Sequence, residues 1–500
     1  MQNMQVIPRS ELRRLEAEAA LGRQLADEIR GVRAELKVAQ ETIAVLRGEI
    51  TGLVTLGANL QAQIAELKAK LGTNSGNSSK PPSSDEPGQR PDRGRTPSQR
   101  RRGGQPGHAR SQRALVAPED VDATFDVRPE HCADCGAVLA GDDPEPLRHQ
   151  VVEIPDPQVI VTEYRLHALG CPRCAHVTRA GLPEGVSPSG FGPRVHALAA
   201  TLVGRFKQSK RSAIDLMDLV WGLRMSPGAL IKIERRVSAM LASPIEELRV
   251  HLQGAASAHG DETSWRERLK RAWLWLGATT EVAVFLVRPG RGGVVARDLF
   301  GDAFAGVLCT DRWSAYSGIA RRALCWAHLL RDFTAMVERH RSPWHGHRLG
   351  LLAREILGHW RAWHRGEIDR ATLTERTAPL RARFEQLLDW TARNAPGRKA
   401  RGIARDLLGR PDELWRFLDD PLVHPTNNLA ERLLRYAVIY RKLSFGTDSE
   451  AGSRYLERLL STAATLSLQD RNLFDYLAAG MGAHFAGQAV PSLLPVAQAA

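Results

Sequence analysis

Residues 257–287, SAHGDETSWRERLKRAWLWLGATTEVAVFLV, mark the point at which the chain changes from a helical to a strand-like pattern. Two apolar runs, residues 273–278 and 282–287, are joined by a short polar turn. This arrangement predicts an antiparallel hairpin. Asp261 and Glu262 come just before the hairpin, so the stretch predicts a sheet with acidic residues at its start.

The downstream sequence predicts further strands and a helical insertion. Residues 307–310 form a short apolar run that reads as a buried strand ending at Asp311, and residues 323–326 read as another. From about residue 330 to 420 the pattern is helical and rich in arginine, and a helix begins again just before Glu431. The pattern therefore predicts a mixed α/β unit, interrupted by helices, with acidic residues at strand and helix ends.

Three carboxylates facing one cleft suit chemistry on phosphodiesters. Two Mg²⁺ ions roughly 3.5–4 Å apart activate a nucleophile and stabilise the leaving oxygen, and Mg²⁺ prefers hard oxygen ligands. Asp261, Asp311 and Glu431 are the candidate ligands, and their repulsion without metal predicts at least one raised pKa. For Glu431 an alternative stays open, because its spacing from Asn428 matches a helix capping box.

The first 72 residues carry a sustained heptad. Apolar positions alternate at spacings of four and three from Leu25 to Leu71, which predicts a coiled-coil helix over residues 1–72. One isolated helix cannot bury such a stripe, so the heptad predicts homodimerisation. Packing of the stripe back onto the same chain is the alternative.

Residues 73–113 contain almost no apolar side chains and are rich in arginine. This composition predicts a disordered segment. Arg100, Arg101 and Arg102 within it are candidate contacts to DNA phosphates and to the minor groove. A merely solvated linker is the alternative.

Residues 114–186 contain two Cys-x-x-Cys pairs separated by 35 residues. This spacing predicts a structural Zn²⁺ site with four thiolate ligands, formed by Cys132, Cys135, Cys171 and Cys174. Apolar residues within 151–161 predict strands between the pairs. Two redox-active or disulfide pairs are the alternative. Cys309 and Cys325 stand alone and are predicted to be core residues.

Residues 187–250 read as helical. A helix around residues 213–220, a turn over residues 222–226 and a second helix beginning at Pro227 are compatible with a DNA-binding helix-turn-helix, or with an ordinary helical hairpin. The basic side chains offered there to DNA are Lys207, Lys210 and Arg211.

The composition favours a polyanionic partner, of which nucleic acid is the commonest. Lys and Arg number 69 against 56 Asp and Glu, the net charge is +13, and the pI is near 9.8. A generally arginine-rich proteome is the alternative explanation. The N-terminus has no apolar signal-peptide core, and no run approaches the roughly 18 apolar residues that span a bilayer. A cytoplasmic location is therefore expected. No Walker loop, GxSxG elbow or Rossmann glycine pattern occurs.

The sequence blocks around the three acids resemble those of the DDE transposases of the insertion sequence 66 (IS66) family. Residues 261–265 read Asp-Glu-Thr-Ser-Trp, and Asp311 precedes Tyr316 by five positions. Residues 325–328 then read Cys-Trp-Ala-His, and residues 427–435 read Asn-Asn-Leu-Ala-Glu-Arg-Leu-Leu-Arg. The resemblance extends over about residues 55–470 and includes the Gly-Gly-Gln-Pro-Gly-His segment at 103–108 and the paired Cys-x-x-Cys motifs. Ser-Phe-Gly at 444–446 departs from the family's more usual Trp-Leu-Phe-like run.

The resemblance implies an RNase H-like catalytic domain, with its first Asp on the first strand, its second on the fourth and its Glu on a later helix. It also implies cleavage of transposon ends with Mg²⁺ or Mn²⁺, transfer of the freed 3′-hydroxyl into target DNA, and the help of accessory proteins from the same element. His328, Asn427 and Arg432 match family positions and are candidates to support the site, although the match does not specify their roles. For His328 the alternative is a structural histidine, and for Asn427 the alternative is a helix cap. The alternatives are a nuclease without strand transfer and a non-catalytic, zinc-dependent DNA-binding regulator derived from a transposase.

The predicted fold class is a multidomain α+β protein. It has an N-terminal coiled coil, a zinc-binding module and an RNase H-like mixed α/β catalytic core with a helical insertion. The predicted order after the zinc module is a helical region at 187–250, the first part of the core at 251–330, the insertion at 331–420, the second part at 421–486 and a flexible tail at 487–500.

Overall fold

The computed structural model describes residues 9–71, 113–338 and 342–495. The predicted basic arm, with Arg100, Arg101 and Arg102, lies outside the described residues. The chain divides into two units, Met1–Arg93 and Gly94–Ala500, and each is described by itself.

In the first unit, α1 (Arg9–Leu71) is one helix of 63 residues. The large apolar residues of its heptad are exposed from Leu25 to Ile64, with Leu36 at 56% and Ile50 at 60%. Within the part of the chain that is described, α1 alone is long and apolar enough to cross a membrane by length and composition, over an 18-residue window of mean hydropathy 1.2. The heptad accounts for the same apolar residues, because its seam repeats every three and four positions.

The cysteine-rich segment of the second unit is mostly irregular. The only paired strands among its described residues are β1 (Ala168–Gly170) and β2 (Val177–Arg179), which form an antiparallel hairpin around the second cysteine pair. The strands predicted within residues 151–161 are wrong, because those residues have no strand partner. Val151 is 79% exposed and Ile160 is 96% exposed. Unpaired apolar runs do not make a strand without a neighbour to complete their hydrogen bonds.

A helical bundle follows, and it has a helix, a turn and a second helix where a helix-turn-helix or a helical hairpin was predicted. Its helices are α2 (Pro193–Ala200), α3 (Lys210–Trp221), α4 (Pro227–Met240) and α5 (Ala242–Gln253). Gly222 ends α3 with φ of +64°, which glycine adopts without strain. The Ser226 side chain then accepts the Ala229 N–H and caps α4.

Five strands form one mixed sheet in the order β5-β4-β3-β6-β7. They are β3 (Ser257–Glu267), β4 (Lys270–Ala278), β5 (Ala283–Arg288), β6 (Val307–Thr310) and β7 (Arg322–Leu324). The first three pair antiparallel, which confirms the predicted hairpin, and β6 and β7 run parallel to β3. Helix α6 (Gly293–Phe300) connects β5 to β6.

Asp261 lies in the middle of β3, the central strand, which comes just before the β4–β5 hairpin. The resemblance put the first Asp on the first strand, and Asp261 does lie on the first strand of this sheet, but the apolar pattern alone did not predict β3. The β3 sequence is mostly polar, so it lacks the apolar alternation that marks a half-buried strand. Its hydrogen bonds to β4 on one side and β6 on the other hold it in place.

Helices cover both faces of the sheet. On one face, α12 (Asn428–Ser444) and α13 (Glu450–Leu468) pack Leu433 and Leu456 against Trp265, Leu274 and Phe285. On the other face, the side chains of α5 and α6 pack against alternate residues of β4 and β5. The period of two along each strand thus divides the core into two layers.

Helix α13 also closes the edge of the sheet. Three of its polar side chains accept the outward N–H groups of β5: Glu457 from Val287, Ser461 from Phe285 at 2.8 Å and Thr465 from Ala283 at 3.0 Å. Four residues along a helix rise about 6 Å and two along a strand about 6.8 Å, so the two series stay in step. The edge strand therefore offers no free donors to another chain.

Helices fill the segment that was predicted to be a helical insertion. It consists of α7 (Trp326–Glu338), α8 (Pro343–His364), α9 (Arg370–Asn394), α10 (Arg398–Leu408) and α11 (Pro411–Asp419). Buried Trp326 packs among Phe384, Trp415 and Phe417, and its indole N–H donates to the Leu414 carbonyl at 2.9 Å. Because Trp326 begins α7, the strand predicted over residues 323–326 ends earlier, at Leu324.

The C-terminal segment is also more ordered than predicted. After α14 (Leu473–Phe485), residues 487–495 of the predicted flexible tail pack onto the helical bundle, and residues 496–500 lie outside the described residues. Leu493 is fully buried in that core, and the Tyr476 hydroxyl donates to the Pro491 carbonyl at 2.7 Å.

Candidate active site

Asp261 and Asp311 lie side by side because of the strand register. Strands β3 and β6 are parallel, with Ser257 beside Val307 and His259 beside Cys309. Continuing that register brings position 311 next to position 261, and neighbouring strands lie about 4.8 Å apart. Asp311 is the first residue after β6, where the chain turns, and its Oδ1 accepts the Trp313 N–H at 2.8 Å.

Glu431 comes from the first turn of α12, which covers this face of β3. Its Oε1 accepts from the Arg331 guanidinium of α7 at 2.9 Å. The capping-box alternative is not what the structure has: the N-cap residue is Asn427 and it makes no side-chain cap hydrogen bond. Glu431 instead places its charge close enough to Asp261 to act on it.

Asp311 and Glu431 act electrostatically on Asp261. Burial raises the pKa of Asp261 well above its usual value, and the charges of Glu262, Asp311 and Glu431 raise it further. Such a pKa is expected of a buried carboxyl group that lies near other carboxylates. The same oxygen-rich donor set fits a divalent cation of the Mg²⁺ class, which would relieve the repulsion.

The two cysteine pairs form knuckles with the same backbone geometry. Cys132 and Cys171 each accept, through their carbonyl, the N–H of the residue four positions on, and those residues, Gly136 and Ala175, have φ of +76° and +59°. The pKa of Cys132 is lowered by the backbone N–H of Cys135 and that of Cys171 by the backbone N–H of Arg173. Amides directed at sulfur favour the thiolate that Zn²⁺ requires.

The structure brings together the two cysteines of each pair but not all four. In the described residues, a single group of three or more potential metal ligands has all its ligand atoms within 4.8 Å of one another, and it consists of Cys325, His328 and Glu431. Neither the four cysteines nor the set of Asp261, Asp311 and Glu431 is gathered that closely in the described residues. The donor chemistry of the knuckles fits zinc.

Comparison with known families accounts for these features together. Residues 193–455, more than half of the chain, match the family described as Transposase IS66 family. The chain belongs to the IS66 family of transposases. Residues 129–175 match the zinc-finger binding domain of transposase IS66, and residues 11–114 match a family of unknown function, DUF6444. A curated relative is the uncharacterized protein y4hP of Sinorhizobium fredii, 23% identical over 404 residues, which cover 71% of this chain and 70% of the relative.

Asn427 joins the two main elements of the candidate site. It is fully buried, its Oδ1 lies 3.0 Å from His259 Nδ1, and its Nδ2 donates to the Gly260 carbonyl at 2.8 Å. Burial lowers the pKa of His259 to about 4, so the imidazole is neutral and donates from Nδ1. The amide therefore fixes the start of the Glu431 helix against the strand that carries Asp261.

Of the other two expected supporting residues, only one reaches the site. His328, in the first turn of α7, has its Nδ1 3.7 Å from Glu431 Oε1. Arg432 is exposed on α12.

Glu262, next to Asp261, is a second buried acid, and its structural role was not predicted from the sequence. Glu262 faces the opposite side of β3, where its Oε1 accepts from Arg291 at 2.8 Å and its Oε2 accepts from the Tyr316 hydroxyl at 2.6 Å. Burial raises the pKa of Glu262. The Asp-Glu dipeptide and the Tyr316 of the next block were visible as separate motifs, but only the fold joins them.

The candidate DNA contacts lie in different settings. Lys207 places its ammonium over the ring of Tyr436, at 4.8 Å from the centroid, and Tyr436 belongs to the same helix as Glu431. Lys210 instead forms an ion pair with Glu234 of α4. Arg211 is exposed at the start of α3. Of the three, Lys207 is the one placed beside the helix of the site.

Proposed function

We propose that this protein is a DDE-type transposase that cleaves DNA strands at transposon ends and joins the freed 3′-hydroxyl to target DNA. The observations that support the proposal are the strand register, which sets Asp261 beside Asp311, and the charge of Glu431, which acts on Asp261. The strand order, with three antiparallel strands followed by two parallel ones, supports an RNase H-like core.

Asp261, Asp311 and Glu431 would hold Mg²⁺ or Mn²⁺, which when bound supplies Lewis-acid activation of the attacking and leaving oxygens. The residues of the chain prepare that site. The parallel strands set the two aspartates beside each other, and Asn427 fixes the helix of Glu431 against them. Arg331 donates to one oxygen of Glu431 and limits the rotation of its carboxylate.

DNA binding is proposed for several surfaces. The two cysteine knuckles, held by Zn²⁺, and the α3–α4 helix-turn-helix would read the terminal inverted repeats. Lys207 and Tyr436 lie along the helix of Glu431 and suit a strand leading to the site. The arginines at positions 100–102 would add phosphate contacts.

A homodimer through α1 is proposed because transposition requires two ends to be held together. The exposed heptad of α1 needs a partner to bury it, and a second copy presents the same seam. The protein would act in the bacterial cytoplasm on the nucleoid, with accessory proteins of its own element.

The proposal is tested by incubating the purified full chain with a plasmid that carries the gene's native flanks, with Mg²⁺, with Mn²⁺ and with EDTA. Metal-dependent cuts at discrete flanking positions, followed by DNA joints to target, are the expected products. DNA cuts without joints to target DNA would identify a nuclease that lacks strand transfer. Specific binding without cleavage, also after addition of the neighbouring gene products, would contradict the proposal and identify a regulator.

A further inference from the structure

Three side chains that could hold a metal ion meet at the candidate site. The Cys325 sulfur, a ring nitrogen of His328 and a carboxylate oxygen of Glu431 all lie within 4.8 Å of one another. The first two are contributed by the junction of β7 with α7, and the third by the start of α12. A sulfur, a nitrogen and an oxygen at this separation form a mixed donor set. Mg²⁺ prefers oxygen ligands, so this set suits a transition metal better.

The buried sulfur of Cys325 accepts a hydrogen bond from the backbone. Its sulfur is nearly inaccessible and receives the Asn427 N–H at 3.1 Å, while the His328 N–H donates to the Cys325 carbonyl at 3.1 Å. The Cys-x-x-His turn therefore carries both side chains to the same side. N–H groups directed at sulfur are the surroundings that a metal-bound thiolate needs.

His328 offers a nitrogen that the protein does not use. Its Nδ1 is buried and has no hydrogen-bond partner among the described residues. The atom lies 3.7 Å from Glu431 Oε1, too far for a hydrogen bond but suitable for two ligands of one ion. Buried polar atoms are nearly always paired, so an unpaired imidazole nitrogen directed at a carboxylate points to a missing ligand.

We propose that Cys325, His328 and Glu431 form a site for a Zn²⁺-class transition metal, separate from the two cysteine knuckles. Zn²⁺ takes sulfur, nitrogen and oxygen ligands in tetrahedral geometry, and three protein ligands leave the fourth position to water. On binding, the Cys325 thiol releases its proton to solvent. The thiolate then offsets one charge of the ion, and the Glu431 carboxylate, which also accepts from Arg331 at 2.9 Å, faces the other.

The site has a consequence for catalysis, and this part rests on the proposed function. Glu431 would belong to both the transition-metal site and the Mg²⁺ site, and one carboxylate held by Zn²⁺ is withdrawn from the pair of aspartates. Zn²⁺ binds nitrogen and sulfur donors more strongly than Mg²⁺ does. Zn²⁺ therefore inhibits Mg²⁺-dependent cleavage at concentrations far below those of Mg²⁺.

The first test counts metal on the full chain after equilibrium dialysis against Zn²⁺. Wild type is expected to bind one ion more per chain than Cys325→Ser or His328→Ala. Cys309→Ser is the matched control, because Cys309 is also a buried, single cysteine of this sheet but is not in the group. Cys174→Ser removes one cysteine of the second knuckle. It is expected to lose the ion of the knuckles and to retain the ion at His328. Circular dichroism verifies the fold of each variant, and the partly exposed His328 makes its variant the safer of the two.

Equal zinc counts for wild type, Cys325→Ser and His328→Ala would overturn the proposal. The second test measures the Zn²⁺ concentration that inhibits cleavage in Mg²⁺. Loss of an outer-shell partner lowers metal affinity roughly 10–100-fold, and His328 is proposed as a direct ligand, so His328→Ala is expected to raise the inhibiting Zn²⁺ concentration by more than that factor. Unchanged inhibition in that variant would contradict the link to catalysis. If wild type cuts no DNA at all, the proposed function fails, yet the zinc count still decides whether the site exists.

Discussion

The adjacent residues Asn427 and Asn428 offer a direct test of how the site is held together. Asn427 is fully buried and connects His259 and Gly260 of β3 to the start of α12. Asn428 is exposed at the first position of the helix. We expect Asn427→Ala to lower the free energy of unfolding strongly and Asn428→Ala to leave it almost unchanged.

The magnitude follows from the two groups that lose their partner. Asn427→Ala leaves the His259 Nδ1–H and the Gly260 carbonyl unpaired in the core. Each unsatisfied buried group costs about 1–3 kcal/mol, so the loss is about 2–6 kcal/mol. An exposed substitution such as Asn428→Ala stays within about 0.5 kcal/mol.

The assay is urea unfolding at pH 7 followed by tryptophan fluorescence, to which buried Trp265 and Trp275 of the sheet contribute. Metal-dependent DNA cleavage is measured on the same samples under conditions where both variants are folded. We expect Asn427→Ala to lose cleavage beyond its loss of folded protein, because the Glu431 helix is no longer fixed. Equal unfolding energies for the two variants, or full cleavage by Asn427→Ala, would refute the positioning role.

Three further predictions concern other parts of the chain. Burial lowers the pKa of His259 to about 4, from about 6.5 in the unfolded chain. Below pH 6.5 the unfolded chain therefore binds a proton that the folded chain does not, and the free energy of unfolding falls as the pH falls to 4. The loss is about 3 kcal/mol, and His259→Gln should lack it in urea titrations between pH 7 and 4. Cys171→Ser is expected to lose zinc by metal analysis and to weaken binding to the gene's flanks, and unchanged binding would exclude a role of the knuckle. Ile43→Asp is expected to produce monomers in sedimentation, whereas Glu41→Ala, on the outer face of the same heptad, stays dimeric; a dimer in both would place the interface elsewhere.

The sequence predicted those parts of the fold that depend on local patterns. The hairpin of β4 and β5, the strand that ends at Asp311 and the turn from α3 to α4 all carry strong periodicity or capping residues. The apolar pattern did not predict strand β3, because this strand carries Asp261 and other polar residues instead of a regular apolar series. A functional strand loses the pattern by which strands are predicted.

Contacts between distant segments could not be predicted. The ion pair and hydrogen bond that hold Glu262 join residues 29 and 54 positions away along the chain. For Asn427 the sequence allowed a helix cap or a support of the site, and the structure supports the second. The three α13 side chains that close the β5 edge stand four positions apart, a pattern that is informative only once the helix is known to be buried.

The most direct measurement compares Asp311→Asn with Asp302→Asn in Mg²⁺-dependent cutting of the gene's flanks, with DNA binding measured in parallel. The Asp311→Asn change keeps the size of the side chain and an oxygen for the Trp313 N–H, whereas Asp302 is an exposed acid of the same unit. We expect Asp311→Asn to bind DNA and cut none of it, while Asp302→Asn cuts as wild type does. Cleavage by Asp311→Asn at the wild-type rate would contradict a catalytic metal site on Asp261, Asp311 and Glu431.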